Sequence, residues 1–129
     1  MSSWIGVGQS EIGLVRTLNQ DAFAVLDEVS VWAVADGMGG HVGGEVAAQT
    51  AIATIQAKAR TTSTLLYSDQ ASSVDVLTDL ISRAHEAIVN QARSKSKLKG
   101  MGTTIVLLAI VSGPAPIAYL AHVGDSRAY

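Results

Sequence analysis

The chain has 129 residues, 48% of them hydrophobic and 16% charged, with 9 Lys+Arg against 11 Asp+Glu for a formal net charge of −2. That length suits a single domain large enough to bury a core, and the composition excludes a disordered chain. Near-balanced charge offers no basic footprint for nucleic acid, the lack of cysteine excludes disulfides and thiolate-held metals, and the longest apolar run, Ile105 to Val111, is far too short to cross a bilayer.

The N-terminal MSSWIGVGQSEIG has neither the basic nor the apolar region of a secretory leader, so a cytoplasmic location is expected. Trp4 to Ile12 has strand character. Ala22 to Leu26 and Val29 to Ala35 are apolar, β-branched-rich runs separated by Asp27 and Glu28, the pattern of a hairpin. The glycine cluster from Gly37 to Gly44 ends the second run. Ala48, Ile52, Ile55 and Ala59 then recur at helical spacing, with Glu45 placed for the dipole of the first turn. Thr61 to Ser73 reads as a polar loop. A second helix carries Leu77, Leu80, Ile81, Ala84, Ile88 and Ala92 on one stripe; Ser72 and Asp75 form a capping-box pair at its start, and RSKSKLKG ends it with cations and Gly100. Two more strands, Thr103 to Ser112 and Ile117 to Val123, are joined by a GPAP turn, and GDSRAY follows. This order of elements predicts an α+β fold with a largely antiparallel sheet and no internal repeat.

Two segments share one design. VWAVAD-G ends an apolar strand in Asp36 beside Gly37, and AYLAHVG-D ends another in Asp125 beside Gly124. A carboxylate near a core needs a cation, an arginine or a cluster of N–H groups as partner. Glycine beside each Asp leaves room for carbonyls or waters, so two such strand ends meeting across a sheet would make part of a site for a hard divalent cation. An Asp-Gly turn in a flexible loop is the plain alternative. Nucleotide-binding loops are disfavoured: no GxxxxGK[ST] is present, and the GxG pairs at 6/8, 37/39 and 100/102 are followed by Glu11, Val42 and Ile105 where a third glycine is required.

Four segments in order, VRTLNQD, VADGMGGHVGGE, GMGTT and HVGDSRAY, resemble the N-terminal half of the metal-dependent Ser/Thr protein phosphatases, the type 2C family, and look most like its bacterial members. The resemblance implies an antiparallel β-sandwich flanked by helices (α-β-β-α), here incomplete, with residues 1–129 forming the first part of one phosphatase domain. It implies a centre of two or three Mg²⁺ or Mn²⁺ ions and an activated water that attacks phosphoserine or phosphothreonine directly. Carried over by motif, Asp36 is the bridging metal ligand, Gly37 offers its carbonyl to a metal, Asp21 acts near the centre through water, and Asp125 helps bind a weaker third ion. Arg16 matches the arginine that holds the substrate phosphate with its planar fork, and His41 is a candidate to protonate the leaving oxygen. Thr103 and Thr104 read as structural, His85 and His122 as packing or surface residues, and RSKSKLKG as a helix end.

The chain departs from the family in two ways. Gln20 stands where many relatives have glutamate, and the further aspartates that complete the family's centre have no counterpart in these residues. The expectation is therefore a fragment, monomeric when complete, whose substrates are phosphorylated proteins and whose functional counterpart is a Ser/Thr kinase. The alternatives are an inactive phosphoprotein-binding relative and a hydrolase of small phosphate esters.

Overall fold

The structure, a computed structural model, describes residues 4–14, 19–38, 42–62 and 70–129. Its strands are β1 (Asp21–Leu26), β2 (Val31–Met38), β3 (Gly102–Thr103), β4 (Ile105–Val111) and β5 (Ile117–Val123), and its helices are α1 (Val42–Thr62) and α2 (Gln70–Ser94). All pairings are antiparallel, in the order β1-β2-β4-β5 with β3 alongside β2. Both the β2–β3 and β2–β4 pairings obey one register, Gly37 opposite Thr103 and Val34 opposite Val106. β3 and β4 are thus one strand interrupted at Thr104.

Period-two alternation decides which face each strand residue takes. Ala24, Leu26, Val31, Ala33, Ala35, Ile105, Leu107 and Ala109 point to the helices and are buried. Alanines on this face meet Ala48, Ala51 and Ala59 of α1, so helix and sheet pack closely, with Ile52 and Ile55 filling the space between. Helix α2 adds Val76, Leu77, Leu80 and Ala84 to the same core, each fully buried leucine contributing roughly 1.5–3 kcal/mol of transfer free energy. The described residues thus supply one helical layer and one sheet, the α+β antiparallel arrangement read from the sequence.

The other face carries Phe23, Trp32, Val34, Val106, Leu108 and Ile110, and together with residues 4–8 and 127–129 it lines an open groove of ≈ 470 Å³. Trp4 to Ile12, expected as a strand, forms no ladder. Its backbone stands over this face: a Cβ at Gly6 would run into the Trp32 indole and one at Gly8 into the Phe23 ring. At that height the segment cannot reach the in-plane groups of a strand. Asp27 holds it instead, Oδ1 accepting from both the Gly6 N–H (2.8 Å) and Trp32 Nε1 (2.8 Å).

Other boundaries shift for local reasons. The hairpin turn is a 3-10 turn, Asp27–Val29, closed by Ser30 in a left-handed conformation (φ 56°), which leaves Val29 outside β2. Helix α1 runs to Thr62 and α2 is helical from Gln70, so Ser72 lies inside the helix and is no cap; residues 63–69 of the expected loop lie outside the described residues. RSKSKLKG is more than a charged helix end: Ser96–Leu98 form a 3-10 turn that buries Leu98 against Ala47 and Met101.

β2 extends through Asp36 and Gly37 to Met38, and α1 starts at Val42 with Gly43 and Gly44 in its first turn. A Cβ on Gly37 would fall inside the carbonyl of Gly44, and one on Gly44 would lie 2.5 Å from Gln20 Nε2 and 2.7 Å from the Met38 carbonyl. The glycines are where strand and helix touch backbone to backbone. Gly37→Ala is expected to destabilise the fold by about 3 kcal/mol or more through overpacking, whereas Gly113→Ala, with open space around it, should stay within about 0.5 kcal/mol of the parent; denaturant unfolding of the two variants checks this.

Candidate functional site

The β1–β2 register places Asp21 directly opposite Asp36. Neighbouring Ala22 and Ala35 point to the helices, so both carboxylates take the opposite, open face, where both are exposed. Asn19 fixes the entry to β1: its Oδ1 accepts the Asp21 N–H (3.0 Å) while its Nδ2 donates to Ser10 Oγ (2.7 Å). Asp21 and Asp36 line a cleft of ≈ 400 Å³ with Gly8, Gln9, Ser10 and Ser126. Two carboxylates in direct cross-strand opposition repel one another.

The expected meeting of Asp36 with Asp125 across a strand pair takes a different form. Asp36 has Asp21 on one side and Thr104 on the other, with the Thr104 N–H donating to the Asp36 carbonyl (2.9 Å). The return bond goes from the Asp36 N–H to Thr104 Oγ1 (3.2 Å), a hydroxyl replacing the carbonyl a regular ladder would use. Thr104 Oγ1 also lies 2.6 Å from Ser126 Oγ, where either hydroxyl can donate. Asp125 follows β5 in a bend beyond Gly124, whose φ of 107° suits glycine and whose Cβ would come 2.6 Å from Thr104 Cγ2. The GDSR segment is therefore moored to Asp36 through Thr104. Among the described residues no group of three or more His, Cys, Asp or Glu side chains converges on one point.

Gly37 faces the helical layer and its N–H donates to the Gln20 carbonyl (2.9 Å). Glycine at 37 and 124 is thus required by packing and by backbone conformation, a reason separate from the room for ligands inferred from the sequence. Gln20 is buried beside Gly44, where an uncharged amide costs less to desolvate than a carboxylate. Arg16 and His41 lie outside the described residues. Ser126 lines the cleft with no sequence signal of its own beyond its position after Asp125 in GDSR. Away from the cleft, the ion pairs Arg60–Glu28 (3.1 Å) and Arg83–Asp79 (2.8 Å) are surface pairs of small energetic weight, the latter raising the Arg83 pKa through its hydrogen bond with Asp79.

The sequence profile of Protein phosphatase 2C matches residues 8–129. The chain belongs to this family. It is 34% identical over 124 residues to the serine/threonine phosphatase stp of Listeria innocua, covering 94% of this chain and 47% of that protein. It is 35% identical over 124 residues to the serine/threonine protein phosphatase PstP of Mycobacterium tuberculosis, covering 94% of this chain and 21% of that one. The crystal structure of the Mycobacterium tuberculosis phosphatase PstP/Ppp superposes with a TM-score of 0.73 at 31% identity, over 92% of this chain and 46% of that one. A structure of the PstP catalytic domain in complex with two manganese ions gives a TM-score of 0.72 at 31% identity, over 92% and 47%. The chain spans about half the length of the Listeria relative and of these solved phosphatase chains.

Against this family background the donor set of the cleft can be tested. Asp21 and Asp36 present oxygen atoms only, at one level of the sheet and open to solvent. Mg²⁺ is typically held by one or two carboxylates with several waters kept, so the pair fits a hard divalent ion in type and in number. Without a cation the pair is a liability. Asp21→Asn is expected to raise the stability of the metal-free protein by about 0.2–1 kcal/mol, an effect that shrinks with added salt; thermal unfolding at low and high ionic strength in the presence of a chelator measures it.

Proposed function

We propose that this chain forms the N-terminal part of a single phosphatase domain that hydrolyses phosphoserine and phosphothreonine in proteins with the help of Mg²⁺ or Mn²⁺. The observation that carries the reading is the Asp21–Asp36 pair, set in register on the open face of a cleft in a member of the Protein phosphatase 2C family. The manganese in the PstP catalytic domain, a 31% identical neighbour, supports the choice of ion.

Asp36 and Asp21 are the side chains that would hold the ions, with the Gly37 carbonyl beside them and Asp125 on the moored GDSR segment; the complete domain would bring two or three ions. When bound, such ions make water nucleophilic near neutral pH and offset charge on the phosphoryl oxygens. The rigid β1–β2 ladder keeps the two carboxylates from moving apart as charge develops, so positioning is settled before the reaction. Arg16 would hold the substrate phosphate with its guanidinium fork, and His41 would protonate the departing seryl or threonyl oxygen. The rest of the domain would cover the apolar outer face, now an exposed surface of Phe23, Val34 and Leu120. Phosphorylated cytoplasmic proteins are the substrates in this reading, a Ser/Thr kinase is the opposing enzyme, and the complete enzyme is a monomer.

The test is release of phosphate from a phosphothreonine peptide by the protein expressed through its natural reading frame. Turnover should require Mn²⁺ or Mg²⁺, and Asp36→Asn should lower kcat/KM by at least about 100-fold, the upper end of what loss of an outer-shell partner costs. Full activity in Asp36→Asn would overturn the assignment. Peptide binding without turnover would make the protein a phosphoprotein-binding relative, and turnover confined to small phosphate esters would narrow its substrates.

A further inference from the structure

We infer that Thr104 is a positioning residue that joins the two aspartate-bearing strand ends into one unit. The inference deepens the reading given above and depends on it for its functional meaning. Four contacts meet at this threonine, which is 5% exposed. Its N–H donates to the Asp36 carbonyl (2.9 Å), and its Oγ1 accepts the Asp36 N–H (3.2 Å). The same Oγ1 bonds Ser126 Oγ (2.6 Å), one residue beyond Asp125. Its methyl group occupies the space against Gly124 that a Cβ there would claim, 2.6 Å from the position such an atom would take.

The arrangement has a specific consequence. In an unbroken ladder the Asp36 N–H would bond the carbonyl of residue 104, and the side chain of that residue would have no part in the pairing. Here the ladder is interrupted at this level, and the Thr103 hydroxyl donates to the freed Thr104 carbonyl (2.8 Å). One hydroxyl therefore fixes the backbone of Asp36 and the approach of the GDSR segment at once. A valine would match the shape and sever both bonds; a serine would keep them and lose only the methyl. Through this tie, displacement of Ser126 by anything in the cleft is felt at Asp36, and the reverse.

The experiment uses the full-length protein, with the Asp36 amide followed by NMR hydrogen exchange without metal and Mn²⁺ affinity followed by calorimetry. Thr104→Val should speed exchange of the Asp36 amide about tenfold, as expected for one lost hydrogen bond, shift the amide resonances of Asp125 and Ser126, and weaken Mn²⁺ binding about tenfold. Thr104→Ser should restore all three. Ser126→Ala, at a half-buried position that does not threaten folding, should shift the Asp36 amide from the other end of the tie and keeps the test available if Thr104→Val fails to fold. An Asp36 amide indifferent to Ser126→Ala, or Mn²⁺ affinity unchanged in a folded Thr104→Val, overturns the inference while leaving the metal reading intact. A wild-type protein that shows the coupling yet binds no Mn²⁺ overturns the metal reading and leaves the tie standing.

Discussion

The contact on which the rest depends is that of two backbones, the end of β2 at Gly37 and the first turn of α1 at Gly44. Side chains are absent there because neither partner has room for one. The approach sets the height of α1 over the sheet, which in turn makes alanine the fitting residue along the facing strands and leaves the larger Ile52, Ile55 and Leu107 to fill the gaps. Interiors are packed at crystal-like density, so such a spacing is shared by the whole layer. Gln20 closes the contact from the side, its carbonyl taking the Gly37 N–H and its buried amide lying against Gly44.

From that contact follows the position of the two carboxylates. Because Gly37 faces the helix, Asp36 must face away from it, and the antiparallel register delivers Asp21 to the same place. One face of the sheet is therefore committed to the core, and the other is free to hold charge at its end and apolar residues along its length. The N-terminal segment lies across the second face and is pinned by Asp27, so the cleft has Gly8, Gln9 and Ser10 for one wall. Thr104 supplies the opposite moorings. The carboxylate end of the sheet thus carries a break in the ladder, with a side-chain hydroxyl in a backbone role.

Much of this was written into the sequence in local terms. The apolar, β-branched-rich runs at 22–26, 29–35, 103–112 and 117–123 and the helical stripes through Ile52, Ile55, Leu77 and Leu80 announce themselves because buried strands select apolar residues and burial of one helix face imposes a helical period on the chain. The motifs around Asp36 and Asp125 indicated the family. The misread parts are those whose conformation is set by distant residues. Trp4 to Ile12 has strand character, yet its Gly6 and Gly8 lie against Trp32 and Phe23, a fact no local window contains. Ser72 resembles a cap only if the helix starts after it. Gln20 was judged by the charge it lacks, although its surroundings are an interior in which a charge would be costly.

By itself the sequence determined the fold class, the order of elements and the family, because each of these is encoded in periodicity, in apolar runs or in a short contiguous motif. Only the tertiary structure decided that Asp36 is opposed by Asp21 and linked to the GDSR segment through Thr104, and that the glycines after Asp36 serve a strand–helix contact. Register and close approach are relations between residues 7 to 68 positions apart, and a chain read in order records neither partner nor distance.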